Sequence, residues 1–456
     1  MDNSTAFLFT FLVNAIAWAA CVAYALGLKR MPSYHPLVIF LIYFLFGYVY
    51  QPFVDWYNDG STLWNIVGFS ATPGSILFAT LVDLVGLLSF TFIPPLLVTG
   101  IHDDLEMPAI SLEITNKIGF VFTAGLAATA GALSIWHLLS TNTNSYLNIT
   151  QRLLPGGGQA FVGSSGYQNI GMEFIPPLFI ILYFRSGFTR LNLALTATYM
   201  FVIMYMGSNR AAFLTIALAA IVSYLIRRGI KHFRVRHLVI GLVLLAIFDV
   251  IGGNRYAVRE LLSGEVNTAA EGGKWQLIRN QGGALADLQE FESMTLVTSV
   301  IPERSNGYNW FTQYGSLLVR PIPRQWWEDK PIDTSIVNMV DYGNFYFLTF
   351  SMMGDAYSNM GIPSLVLIMA LDSFLLCFLY KAVKRGTSAN VLLLFTLITA
   401  YLPLLFRDGG WCASGYFVIT SMFAAWLLIK FGGIRLIRHQ NVSDSVPDAE
   451  PRVSIA

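Results

Sequence analysis

The feature that most limits what this chain can become is a series of apolar runs. Each is close to the roughly 20 residues a helix needs to cross a bilayer. They lie near residues 6–28, 36–54, 75–99, 116–139, 170–184, 191–206, 210–226, 238–252, 360–380, 389–406 and 412–430. Only 12% of the residues are charged and 55% are hydrophobic, against about a quarter charged in soluble domains. The chain is therefore read as an all-α integral membrane protein with about eleven transmembrane helices. A net charge of +1 gives no reason to expect a nucleic-acid partner. Cys21, Cys377 and Cys412 all sit in apolar runs and form neither a C-x-x-C pair nor a disulfide framework.

Charge sets the orientation. The first apolar run lacks a basic segment before it and is too long for a secretory signal; Lys29 and Arg30 follow it instead. Basic residues stay in the cytoplasm, so the N-terminus is expected outside. Alternation then places "LKR", "FRSGFTR", "RRGIKHFRVRH", "YKAVKRG" and the tail segment "KFGGIRLIRH" inside, as that rule requires. The acidic loop "IHDDLEMPAISLEITNK" falls on the same side and fits less well, although acids count little in the rule. The C-terminus is expected inside.

The chain divides into eight helices over 1–252, a long polar extracytoplasmic loop over 253–345, three helices over 346–440 and a cytoplasmic tail over 441–456. The loop has glycine-rich joints and no domain-sized core. It is read as short amphipathic helices lying on the membrane, with "WQLIRN" and "LADLQEFESMTLVTSVI" as candidates.

Arg210, Arg255, Arg320, Arg324, Lys330 and Arg407 all fall on the outer side, against the bias, at or near the ends of spans. Singly, each can snorkel to headgroups or pair with Glu303, Glu328, Asp329, Asp341 or Asp408. As a group they are better explained by a shared anionic ligand, since a guanidinium fork matches phosphate oxygens. Arg210 stands in the first turn of its helix, where free N–H groups and the positive helix end also favour an anion. Arg407 closes a helix beside Asp408, a position where a cation is favourable in its own right. In "RPIPRQWWEDKP" (320–331), Pro321, Pro323 and Pro331 forbid a continuous helix. Trp326 and Trp327 are either interfacial anchors or flat platforms for a sugar ring. "NGYNWFTQYG" adds Tyr308, Trp310 and Tyr314. Cations beside aromatic plates at the outer boundary suit a lipid-linked saccharide.

The order "GSNRAAFL", then "RPIPRQWWEDKP", then "GDAYSNMGIPSLVL", then "FRDGG" resembles the Wzy-type polymerases of bacterial surface polysaccharides. The similarity covers roughly the C-terminal 60% of the chain, and the earlier spans match only as hydropathy. The resemblance implies a GT-C-like fold in the bacterial inner membrane, with the N-terminus and the long loop periplasmic. It implies transfer of a glycan from undecaprenyl pyrophosphate to the non-reducing end of a new lipid-linked repeat unit. Arginines matching Arg210, Arg320 or Arg324, and Arg407 would contact glycan or pyrophosphate, without metal or other cofactor. Membrane lipids, a polysaccharide co-polymerase and a flippase are the implied partners. For a base that takes the proton of the attacking hydroxyl, the outer acids Asp341 and Asp355 are the leading candidates, beside Glu328, Asp329 and Asp408. Arg255, Trp326, Trp327, Lys330, Tyr308 and Trp310 are expected to bind substrate.

Rival readings remain at this level. An O-antigen ligase would share the architecture, but no histidine falls clearly in an outer loop. A metal-using polyprenyl-sugar transferase would rely on Asp55 and Asp59 in "VDWYNDG". A transporter or flippase would use charged groups within the spans, where Asp83, Asp249 and Asp372 lie in or near apolar runs but with no matched pair of broken helices.

Overall fold

A computed structural model describes residues 2–67, 69–101, 109–140, 170–206, 210–232, 289–305, 307–319, 322, 326–327, 350–386 and 388–439. Helix α1 (Asn3–Val22) opens on Asp2, whose carboxylate accepts the Thr5 amide at 2.8 Å, and runs on through a wide π-type turn to Leu28. Helix α2 (Pro36–Phe44) starts where His35 Nδ1 accepts the Leu37 amide at 3.2 Å. It continues through a second wide turn into α3 (Gln51–Tyr57). After the short α4 (Thr62–Val67), α5 (Pro73–Leu97) opens on a reciprocal Thr72–Ser75 capping box. Strand β1 (Ala109–Ile114) leads into α6 (Lys117–Ser140). Then come α7 (Ile175–Ser186), α8 (Arg190–Met206) and α9 (Arg210–Arg227). The last part holds α10 (Glu290–Val300), α11 (Thr312–Val319), α12 (Met352–Met360), α13 (Ile362–Lys384), α14 (Ala389–Arg407), α15 (Gly410–Gly432) and strand β2 (Ile434–His439).

Seven helical stretches among the described residues are long and apolar enough to cross a membrane: Asn3–Leu28, Pro36–Tyr57, Pro73–Leu97, Lys117–His137, Ile362–Lys384, Ala389–Arg407 and Ser414–Gly432. A helix satisfies its own backbone groups, which hydrocarbon cannot do. The runs near 170–184, 191–206 and 210–226 form the shorter helices α7, α8 and α9. The span expected at 238–252 lies outside the described residues.

Aromatic rings fill the interior: Phe40 stacks on Phe90 at 4.1 Å between centroids and meets Phe406 edge-on at 5.2 Å. Glycines allow the closest helix contacts. A Cβ on Gly119 of α6 would stand 2.2 Å from the Phe431 carbonyl oxygen of α15.

Two expectations are corrected. The chain is not all-α, because β1 and β2 pair antiparallel from Ala109 opposite His439 to Ile114 opposite Ile434. The alternation that buries Ile110, Leu112 and Ile114 is a strand pattern, hidden in what reads as an acidic loop and a basic tail. Both segments belong to the same face in the charge-based reading, and the pairing joins them. The second correction concerns α10. It does not lie on the membrane as an amphipathic helix: Glu290, Phe291, Glu292, Ser293, Met294, Thr295, Leu296, Val297 and Val300 are all buried. Of its acids, Glu292 bonds to Gln51 inside the bundle, and only Thr298 and Ser299 of the helix are partly exposed.

The helix ends sort into two groups. At the sheet end, Ser33 donates its amide to Lys231 O at 2.8 Å and Lys381 Nζ donates to Gly100 O at 2.9 Å. At the other, the α10 end, residues 51–67, α10, the 301–319 segment, α12 and the turn after α14 come together.

Candidate functional site

At the α10 end, Glu292 Oε1 accepts Gln51 Nε2 at 2.7 Å, and the Glu292 carbonyl accepts Trp64 Nε1 at 3.1 Å. Trp64 in turn stacks on Phe7, which meets Phe291 edge-on. The Asp55 carboxyl lies within hydrogen-bonding reach of the Glu292 carboxyl. Burial above all holds Glu292 up at about 8. Glu290 faces a different set of groups. Burial pushes its carboxyl well above the ordinary carboxylate range, against a partial offset from Tyr43 and the Arg407 guanidinium. Among the described residues its buried Oε2 has no hydrogen-bond partner, and neither do the hydroxyls of Tyr43 and Tyr48.

Beside this lies a strap. Asn309 and Trp310 donate their amides to Ser358 O and Asn359 O of α12 at 2.9 and 3.1 Å. The Phe311 amide donates to Asn359 Oδ1 at 2.9 Å. Asn309 Nδ2 reaches Ser358 Oγ at 3.0 Å and Gln313 Oε1 at 3.2 Å. Gln313 Nε2 and Tyr314 OH then donate to the two Asp355 carboxylate oxygens at 2.5 and 3.3 Å. Trp310 and Phe311 carry φ of 49° and 60°, a left-handed conformation that costs bulky residues roughly 1–2 kcal/mol each. The strap's hydrogen bonds hold it. Its effect is to turn Trp310 outward, 64% exposed, edge-on to Tyr308 at 6.4 Å. Tyr308 itself lies against Gly361, whose φ of 75° and bare Cα leave room for the hydroxyl.

The turn after Arg407 closes on the same strap. Gly409 and Gly410 adopt φ of 96° and 65°, and a Cβ on Gly410 would stand 3.8 Å from Asp355 Oδ2. Arg407 ends α14 with Nε 3.3 Å from Asp408 Oδ1. The structure thus brings Tyr308, Trp310, Asp355 and Arg407 to one end of the bundle.

Trp326 and Trp327 are exposed, by 80% and 37%. Arg210 is the first residue of α9. Its side chain lies outside the described residues, as do Arg255, Arg320, Arg324, Lys330 and Asp341. Asp355 is buried and already accepts two side-chain hydrogen bonds, which suits a positioning group better than a base. Asp55 is committed to Glu292 while Asp59 is exposed, so the two do not share a site. Among the described residues no three His, Cys, Asp or Glu gather as a metal set. Within the spans, Asp372 accepts Trp411 Nε1 at 3.0 Å.

Sequence reasoning missed Gln51, Glu290 and Glu292. The available signal was a pair of glutamates in "EFESMTLVTSV" with no cation in the neighbouring turns, an arrangement that a solvated face does not need. Comparison with protein families, with characterised proteins and with solved structures finds no match to this chain.

Proposed function

We propose that the chain is a membrane glycosyltransferase of the Wzy type, joining lipid-linked oligosaccharide repeat units at the α10 end of its helical bundle. The observation that carries this reading is the meeting there of "NGYNWFTQYG", "GDAYSNMG" and "FRDGG", which are far apart in sequence. In this reading the α10 end is periplasmic and the sheet end cytoplasmic, in a bacterial inner membrane.

A hydroxyl of the incoming repeat unit attacks the anomeric carbon of the growing glycan. The new C–O bond forms as the bond to undecaprenyl pyrophosphate breaks, and the leaving group departs with the negative charge. Arg407, with Arg210, Arg320 and Arg324, stabilises that charge, the largest help fixed cations can give. Glu290 accepts the hydroxyl proton. Its Oε2 has no hydrogen-bond partner among the described residues, whereas the Asp355 oxygens are occupied by donors. Trp310, Trp326 and Trp327 offer flat apolar faces to sugar rings.

A strain lacking the gene tests the reading. It should cap its surface glycan with a single repeat unit and regain the ladder with the parent chain but not with Glu290→Gln at equal membrane level. Complete loss of surface glycan in the deletion strain would point to a ligase or flippase instead.

A further inference from the structure

At the sheet end, where β1, the turn between α7 and α8 and the end of α9 meet, the chain encloses a half-open cavity of about 410 Å3. That volume lies within the roughly 300–1,000 Å3 of small-molecule sites. Among its lining groups are the guanidinium-bearing Arg227 and Arg228 and the hydroxyl-bearing Ser111, Ser186, Thr189 and Tyr224.

Arg227 is fixed. Its Nη1 donates to the Tyr183 and Phe184 carbonyls at 2.6 and 2.9 Å, leaving the other guanidinium donors available. Gly187 makes the position possible: with φ of 74°, a Cβ there would stand 3.1 Å from Arg227 Cζ. The carbonyl end of α7 is covered before any ligand arrives, because Asn192 Nδ2 donates to Gly187 O at 2.6 Å and to Ser186 Oγ at 2.9 Å. Thr189 Oγ1 accepts the Asn192 amide at 3.2 Å, so the positive end of α8 opens beside the same space. Among the described residues neither arginine pairs with a carboxylate. Two cations, one held rigidly with donors to spare, face a cavity edged with hydroxyls.

We propose that this cavity binds a phosphate group, held by Arg227 and Arg228 with the Thr189 hydroxyl as a further donor. A guanidinium fork matches the spacing of phosphate oxygens. The phosphate belongs either to a lipid headgroup, since the apolar helices α7 and α9 end at the cavity, or to a soluble phosphate ester. The site is separate from the polymerase reading and does not rest on it.

The test uses the full-length chain in neutral detergent. Native mass spectrometry measures retention of phosphatidylglycerol against phosphate-free diacylglycerol, and calorimetry measures binding of inorganic phosphate. Arg228→Gln removes an exposed cation, and Ser186→Trp fills the space without changing charge. Each should weaken binding about tenfold or more, the effect of losing one charge-assisted contact, while thermal unfolding stays unchanged. Phosphatidylglycerol retained by the parent and lost from either folded variant assigns the site to lipid. Inorganic phosphate bound and lost in the same way, without lipid retention, assigns it to a soluble ester. The proposal is overturned if the parent binds neither probe, or if the folded variants bind like the parent.

Discussion

Replacing Asp355 separates a hydrogen-bonding role from a charge role. Gln313 is fully buried and donates to Asp355 Oδ1 at 2.5 Å, and Tyr314 OH donates to Oδ2 at 3.3 Å. Asp355→Ala removes this short acceptor and leaves the buried Gln313 amide the longer bond to the Asp355 carbonyl at 3.4 Å, a cost of about 1–3 kcal/mol. It also removes the longer Tyr314 bond, about 0.5–1 kcal/mol. The sum is about 1.5–4 kcal/mol against the closed strap. At about 1.4 kcal/mol per tenfold, strap opening becomes about 12- to 700-fold more frequent. Hydrogen exchange of the peptide 307–319 reads this directly, because the Asn309, Trp310 and Phe311 amides are bonded to α12. Asp355→Asn behaves differently. Its Oδ1 still accepts Gln313 and its Nδ2 donates to the Tyr314 oxygen, so exchange and glycan ladder should both stay close to the parent's. Exchange unchanged in Asp355→Ala would show that the strap is not held here. Normal exchange with no ladder in Asp355→Asn would make the carboxylate charge itself essential and remove Glu290 from its proposed place.

Two further outcomes follow from the packing. Burial raises the Glu292 carboxyl from 4.5 to about 8, so the folded chain keeps a proton that the unfolded chain releases above about pH 4.5. The stability it contributes is full below that pH and is lost as pH rises through about 8. Melting temperatures from pH 5 to 9 in detergent should fall accordingly, and Glu292→Gln should flatten the slope. Gly119→Val should destabilise by about 1–3 kcal/mol, because its side chain meets the Phe431 carbonyl oxygen. A melting temperature equal to the parent's would show that α6 and α15 separate freely.

The sequence by itself determined where the long helices run. Spanning a bilayer needs a local stretch of apolar residues of fixed length, and their starts carry local caps such as Asp2, Thr72 and Ser388. Charge patterning put the acidic loop and the basic tail on one face and the segments holding Tyr308, Trp310, Asp355 and Arg407 on the other, and the fold brings those four residues to one end of the bundle. What each of these groups does was not legible. Asp355 is a base candidate in sequence and a strap anchor in the fold, because its donors come from Gln313 and Tyr314, about 40 residues earlier. Only the tertiary structure decided that α10 is enclosed. "EFESMTLVTSV" has the polarity of a surface helix, and its fate turns on Gln51 and Trp64, which lie 241 and 228 residues away. The β1–β2 ribbon was hidden for the same reason: a strand needs a partner for its backbone groups, and here the partner begins at Ile434. Bilayer length and charge bias act within one stretch of chain, whereas the burial of a carboxyl is settled by whichever distant groups the bundle places beside it.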